Sequence, residues 1–446
     1  MGQERRLCAS RGWMPLTLAQ LDFWEEYALH PDQSVSTVAH CLDIEGAVDQ
    51  PALVEAITRT VHEADILSVR FRLQSGGGEP QQRCDTVQAP MLELRDLRGQ
   101  PAPLQAARRL MREDLESRLD LMRQPLSAQW LLRVGERRYL WYSRGHHIIL
   151  DGYGMVLLER RCAQLYAHLL GAGEAGEPLR PFASFLDEET AYRGSRRFDE
   201  DRRYWQAYLD ASPKLPVLRK GADADTDATE ELHAEVALPG EFAHRLRELS
   251  DATGIGWPDL LVMLSGAYLL QYSMATGEKD SLPVWLPFMS RWGSVAAHIP
   301  SLAVNILPLH LSAVSGEPLG DFLKRVARVL RQQRRHGRYR IEQIAADRGL
   351  AKGTRFLFSP LINVLPFDPP AFEDCRVTRR VLASGPGDGF DLTYRGRSDG
   401  TSLHLSLDAD PAAIAQEAFD RHRRELPAFL SRAVATGTLS TSLGCL

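Results

Sequence analysis

His146-His147-Ile148-Ile149-Leu150-Asp151-Gly152 is the stretch on which the reading of this chain turns. Before it, Arg138 to Arg144 alternates like a strand rich in aromatic residues. After it, Met155, Leu158, Cys162, Leu165, Tyr166 and Leu169 mark one face of a helix. The run therefore joins a strand to a helix, a position where functional side chains concentrate. Neighbouring strand residues point to opposite faces, so His146 and His147 are not expected to share one ligand. One should face a cleft and the other the packed interior. Asp151 can turn back under the strand and fix its geometry. Gly152 lets a backbone N–H approach a substrate, close to the start of a helix that favours negative charge.

These residue types suit acyl transfer to an amine. When an amine attacks a thioester carbonyl, one group must remove a proton and another must hold the oxyanion. A neutral imidazole, with an ordinary pKa of about 6.5, is the natural acceptor near pH 7. A backbone N–H beside Gly152 can hold the oxyanion. No GxSxG elbow is present and no cysteine adjoins the two histidines, so a covalent nucleophile is not expected. No third residue has the spacing of a zinc ligand, so no metal is expected.

Further from the motif, the pattern is mixed. Thr17 to Ala28 reads as an amphipathic helix, and Val38 to Ile44 as a strand. Pro51 opens a helix running to about Ala64. Leu67 to Leu73 reads as a strand ending in a Gly76-Gly77-Gly78 turn, and 102–120 as a charged helix. Gly171 to Pro181 holds three glycines and two prolines and reads as the linker between two halves, 1–175 and 176–446. In the second half a charged helix spans about Phe182 to Leu209, and Pro213 to Thr229 forms a polar, Asp-rich loop. Helices follow at Pro239 to Ala252 and Trp257 to about Tyr272. Strands follow near Glu231 to Val236, Val284 to Phe288, Asn305 to Leu311 and Leu403 to Leu407. This order predicts an α/β (α+β) sandwich in each half, and the similar grammar of the halves suggests duplication.

Composition narrows the class without naming a chemistry. The 446 residues are 44% hydrophobic and 25% charged, which excludes a disordered or collagen-like chain. A net charge of −5 gives no reason to expect a nucleic-acid partner. The six cysteines are scattered, with no CxxC pair, as suits reduced thiols in the cytoplasm. No run of 18 uncharged apolar residues predicts a membrane span, and Met1 to Gly12 lacks the apolar stretch of a secretory signal.

HHxxxDG resembles the hallmark of the condensation domains of nonribosomal peptide synthetases. Other motifs of that family match in order: Leu18-Ala19-Gln20 with Phe23-Trp24, His62-Glu63 with Arg70-Phe71, Pro181-Phe182 through Leu186, Val304-Asn305 with Pro308-Leu309, His336 with Tyr339, and Pro360 to Val364. The runs HHIILDGYGM, IGWPD, LPFMSRWGSVAA, HGRYRIEQI and SPLINVLPF are similar to the free-standing amide synthase type of catechol siderophore (vibriobactin) assembly. The resemblance implies two chloramphenicol-acetyltransferase-like lobes in a V, with a tunnel between them and His147 facing it. It implies that Asp151 is structural and pairs with an arginine of the second lobe, at Arg291. It places Trp292 and Asn363 near the tunnel and leaves His146 structural.

The function implied is transfer of an aryl group, 2,3-dihydroxybenzoyl in the related enzyme, to a small free amine or polyamine. The donor is the phosphopantetheine thioester of a separate aryl carrier protein, and the chain itself holds no cofactor. A monomer is expected. Two alternatives stay open: an ester-forming enzyme with a hydroxyl acceptor, and an inactive docking module. The arginines from Arg331 to Arg340 fit either a surface helix end or a carrier contact, and Asp223, Asp225 and Asp227 either a solvated loop or a polyamine attractor.

Overall fold

The computed structural model describes residues 12–30, 36–74, 78–85, 89–220, 232–277, 280–385 and 387–446. The glycine turn at 76–78 lies partly, and Asp223, Asp225 and Asp227 wholly, outside the described residues. In chain order the first elements are β1 (Met14–Pro15), α1 (Leu18–Leu29), β2 (Thr37–Gly46), α2 (Gln50–Glu63), β3 (Val69–Leu73), β4 (Pro80–Cys84), β5 (Leu92–Asp96) and α3 (Pro103–Leu115). Then come β6 (Ser127–Gly135), β7 (Arg138–His146), α4 (Gly152–Leu169), α5 (Phe182–Arg193) and α6 (Arg196–Asp210). Next are β8 (Val217–Arg219), β9 (Leu232–Ala237), α7 (Gly240–Thr253), α8 (Trp257–Ala275), β10 (Ser281–Phe288) and β11 (Asn305–Ser312). The chain continues with α9 (Leu319–Arg335), α10 (Ile341–Asp347), β12 (Thr354–Phe356), β13 (Leu361–Pro366), β14 (Cys375–Ser384), β15 (Phe390–Gly396), β16 (His404–Ala409) and α11 (Gln416–Ala433).

These elements form a mixed α/β fold in two compact units, and the division is not a single cut in the chain. One unit comprises Met1–Phe198, Met289–Val304 and Pro369–Pro386; the other comprises Asp199–Phe288, Asn305–Asp368 and Gly387–Leu446. The first unit therefore extends past the Gly171 to Pro181 stretch and takes back two segments from the second half. No local signal announces such a return, because it depends on strand pairing across more than 300 residues. The long charged helix expected from Phe182 to Leu209 is two helices, α5 and α6. It breaks at Gly194-Ser195, where the Ser195 hydroxyl donates to the Tyr192 carbonyl at 2.7 Å and accepts from the Phe198 N–H at 3.3 Å.

The sheet of the first unit has the order β14-β2-β7-β6-β5. The strand β2 is buried on both faces over most of its length. Val38, Leu42 and Ile44 pack with Leu53, Ile57, Met155, Leu158 and Cys162 of α2 and α4. Ala39 and Cys41 point the other way, toward Ala107 and Met111 of α3. Covering both faces explains why β2 does not alternate cleanly between polar and apolar. Local signals set the helix starts. Thr17 caps α1 in a reciprocal capping box with Gln20, and Asp49 caps α2 with Pro51 in its first turn.

A buried charge network crosses this unit. His40 Nδ1 lies 2.6 Å from Glu159 Oε1, and Arg379 Nε donates to Glu159 Oε2 at 2.6 Å. His40 is on β2, Glu159 on α4 and Arg379 on the returning strand β14. Burial opposes the charge on Glu159, but His40 and Arg379 outweigh it and hold its pKa below the ordinary value.

In the second unit the sheet order is β11-β10-β13-β15-β16-β9. Val284, Leu286, Ile362, Leu392, Tyr394, Leu405 and Leu407 line its inner face against the buried helix α8. The helix α9 buries Leu319, Phe322, Leu323, Val326, Ala327 and Leu330, a helical repeat, and leaves its arginine face outward. Among the described residues no helix is long and apolar enough to cross a membrane, and the described cysteines form no disulfide.

Removing Arg379 leaves the Glu159 carboxylate buried beside His40 alone. Arg379→Met should lower unfolding free energy by about 3–5 kcal/mol, the usual cost of orphaning a buried charge. Chemical denaturation checks this; an unchanged midpoint would show that the network does not hold β14.

Candidate active site

The junction between β7 and α4 is built on Asp151. Its backbone carbonyl accepts the Met155 N–H at 3.2 Å, and its side chain accepts the Gly154 N–H at 2.7 Å, so it is the cap of α4. The same carboxylate, 2% exposed, receives Arg291 Nη2 at 2.8 and 2.9 Å. Its Oδ2 also accepts the N–H groups of Ala303 and Val304, each at 2.9 Å. Burial works against the charge, but Arg291 and the three N–H groups outweigh it, so the Asp151 pKa lies below the ordinary carboxylate value.

Arg291 is buried too. Its guanidinium donates to the carbonyls of Ala296, Ile299 and Ser301 and lies 5.2 Å from the centre of the Tyr153 ring. The pairing of Asp151 with Arg291 is as expected, but its place is different. Arg291 belongs to the 289–304 segment and hence to the same compact unit as Asp151. The bridge stitches a returning segment into its own unit.

The two histidines divide as the strand pattern requires. His146 is buried, its Nδ1 accepts the Ile148 N–H at 3.1 Å, and its own N–H donates to the Leu126 carbonyl at 2.8 Å. Burial, with help from the neighbouring His147 and Arg144, pushes its pKa down to about 3. His147 is only partly buried. Its backbone N–H donates to the Ser36 carbonyl at 2.6 Å. Its ring stacks on Phe23 with centroids 5.1 Å apart and planes 16° from parallel. Nδ1 is buried and makes no hydrogen bond of normal geometry. Burial lowers the pKa of this imidazole; the charge of Asp151 and the backbone of His147 and Leu150 pull the other way without cancelling the effect. The ring is therefore neutral at pH 7.

Gly152 starts α4 and is exposed. A Cβ there would meet nothing within 4 Å, so among the described residues no contact demands glycine. The crowded glycine is Gly154, where a Cβ would lie 3.2 Å from the Ser301 N atom. Trp292, expected near a tunnel, is 94% exposed. Asn363 lies in the other unit, on β13, in register with Thr393 of β15. His146, His147, Asp151, Gly152 and Arg291 are thus brought together in one unit, and Asn363 belongs to a different one.

The condensation-domain family model matches residues 10–442 of the chain. The chain belongs to the condensation-domain family. It is an acyltransferase of the nonribosomal peptide synthetase condensation type. The condensation enzyme VibH is similar in structure, with a TM-score of 0.86 and 35% identity covering 96% of this chain and 100% of that one. So is the starter condensation domain of rhizomide synthetase RzmA, with a TM-score of 0.84 and 26% identity covering 99% of each chain. Curated relatives include a dimodular nonribosomal peptide synthase of Bacillus subtilis, 30% identical over 94% of this chain. Enterobactin synthase component F of Escherichia coli is 31% identical over 85% of it. The matches span only 17% and 29% of those two proteins' lengths.

Two contacts of His147 carry no signal in the motif. Phe23 lies in α1, more than a hundred residues upstream, where the sequence marks it as part of an amphipathic helix and of a family motif, not as a neighbour of His147. Gly385 approaches the imidazole from the end of β14, within a Gly-rich stretch that reads as an ordinary turn.

The Asp151 pKa gives a pH test. Lowered in the folded state, it contributes stability that is present above the ordinary value of about 3.9 and lost as pH falls through the lower folded value. Asp151→Ala should lower the melting temperature at pH 7, with Asp151→Asn less affected because it keeps acceptor capacity. As pH falls below the ordinary value of about 3.9 and on through the lower folded one, the gap between wild type and Asp151→Asn should shrink. A constant gap across the acid range would remove the ion pair from the account.

Proposed function

We propose that this condensation enzyme transfers an aryl group, of the 2,3-dihydroxybenzoyl class, from a carrier-protein phosphopantetheine thioester to a small free amine or polyamine. The observation that carries the reading is His147: a partly buried, neutral imidazole beside the N-terminus of α4, in a condensation-family chain similar to VibH along its length. The similarity to enterobactin synthase component F and to vanchrobactin synthetase VabF of Vibrio anguillarum, 25% identical over 94% of this chain, supports a siderophore setting.

The chemistry balances without a cofactor held by the chain. The amine lone pair forms a C–N bond to the thioester carbonyl, and the carbonyl oxygen becomes an oxyanion. The Gly152 N–H lies at the start of a helix, where backbone donors have no intrahelical partner and favour negative charge. His147 accepts the proton that leaves the nitrogen. Collapse breaks the C–S bond, and the proton passes to the departing sulfur, giving an amide and the free phosphopantetheine thiol. Asp151 is committed to Arg291 and backbone N–H groups, so it shapes the site without sharing this proton.

The remote end of a polyamine stays protonated near pH 7, because alkylamines resemble lysine, with a pKa of about 10.4. Only the reacting nitrogen must be neutral. Shortening the amine should therefore raise KM more than it lowers kcat, as remote contacts go first.

The test incubates the enzyme with an aryl-loaded carrier and a panel of free diamines, polyamines, amino alcohols and aminoacyl-loaded carriers, read by mass spectrometry. Amide on a free amine is expected. Product only from the loaded carrier would overturn the free-acceptor reading, and an ester from the amino alcohol would move the function to ester formation. His147→Ala should lower the rate by about 10²–10⁴-fold. The acid limb of kcat/KM should fall below pH 6.5, because the His147 pKa is depressed.

A further inference from the structure

We propose that Gly385 and Phe23 are positioning residues for His147, holding its imidazole in place by packing where, among the described residues, no side chain holds it by a hydrogen bond. The proposal rests on the reading of His147 as proton acceptor and adds what sets the direction of its ring.

An imidazole that takes a proton from a substrate needs a fixed orientation. In a catalytic triad a carboxylate bonded to Nδ1 supplies it. Here Asp151 cannot, since its oxygens are taken by Arg291, Gly154, Ala303 and Val304. Nδ1 is buried, and among the described residues no hydrogen bond of normal geometry reaches it. The ring is enclosed instead. Phe23 covers one face. Gly385 closes the edge: a Cβ built there would lie 2.7 Å from Cδ2 and 3.1 Å from Nε2 of His147. Any side chain at 385 would displace the ring. The backbone adds a second demand, because Gly385 has a φ of +91°, a left-handed conformation that glycine adopts without strain.

Strand order explains why a residue 238 positions away in the chain reaches this ring. The strand β2 lies between β7 and β14. At its start, the Ser36 carbonyl accepts the His147 N–H at 2.6 Å, and the Thr37 carbonyl accepts the Gly385 N–H at 3.0 Å. Strands two apart in a sheet lie about 9–10 Å from each other, so the imidazole leans across the end of β2 to meet Gly385. An irregularity in the β2–β14 pairing between Val381 and Ala383 turns the end of β14 just before that glycine. Arg379, six residues earlier, is tied through Glu159 to α4, the helix capped by Asp151. The returning strand is thereby anchored to the same helix that carries the site, and its end sets the ring.

The experiment compares Gly385→Ala, Phe23→Ala and Phe23→Tyr, each alone and in a His147→Ala background. The His147 ring signals are followed by NMR titration, assigned by their loss in His147→Ala. Gly385→Ala should lower kcat by about 10²-fold, the scale of a misplaced catalytic group, with little change in KM for the amine. The same substitution in His147→Ala should cost nothing further. Phe23→Ala should hydrate the ring and raise its pKa toward about 6.5, while Phe23→Tyr keeps the stack and the wild-type titration. Equal losses from Gly385→Ala with and without His147, or a His147 titration unmoved by either substitution, would overturn the proposal. Should Gly385→Ala fail to fold, Phe23→Ala decides alone, since Phe23 is only partly buried. The NMR titration needs no substrate, so a wrong acceptor class would leave this result standing.

Discussion

A single buried carboxylate organises the first unit. Asp151 ends one strand connection, caps the helix α4 and receives the guanidinium of Arg291. An isolated carboxylate 2% exposed would be costly. Five hydrogen bonds from one arginine and three backbone N–H groups compensate it. Those donors come from the α4 start and from the 289–304 segment, so satisfying one charge fixes two distant pieces of backbone together. The constraint also settles a division of labour. A carboxylate so fully engaged has no lone pair left to orient an imidazole, and the neighbouring His147 keeps a neutral ring whose Nδ1 makes no hydrogen bond of normal geometry among the described residues.

Burial opposes the charge on both kinds of group at this junction, with opposite outcomes. It opposes the charge on Asp151 and loses to specific donors; it opposes the charge on the two histidines and wins, the Asp151 charge pulling on His147 without offsetting it. His146, fully enclosed, is driven far down and serves as a backbone acceptor. His147 is enclosed less and remains reachable. Two adjacent residues of one type thus acquire different roles from their positions around the strand end.

The second returning segment matters as much as the first. The strand β14 completes the sheet beside β2 and brings Arg379 to Glu159. Its end brings Gly385 to the His147 ring. A unit assembled from three pieces of chain keeps His147 on a scaffold of strands and a capped helix, where small displacements are resisted by packing.

From the sequence alone, much of the site was legible. The HHxxxDG run sits between a strand and a helix because aromatic alternation gives way to a 3.6-residue repeat there, and the structure keeps both elements. Helix starts at Thr17 and Asp49 follow local capping chemistry, which a few neighbouring residues determine. The family, too, was readable from ordered motifs. The break at Gly194-Ser195 was missed because charged helical spacing continues across it, and one serine's hydrogen bonds decided the turn. Only the tertiary structure decided that Arg291 shares a unit with Asp151, that Trp292 is exposed, and that Phe23 and Gly385 enclose His147. The physical reason is common to all of these. Periodicity and capping report interactions within a few residues, whereas the pairing of β14 with β2 joins residues more than 300 positions apart. What such strands carry to the site is settled by register, which no short stretch of sequence contains.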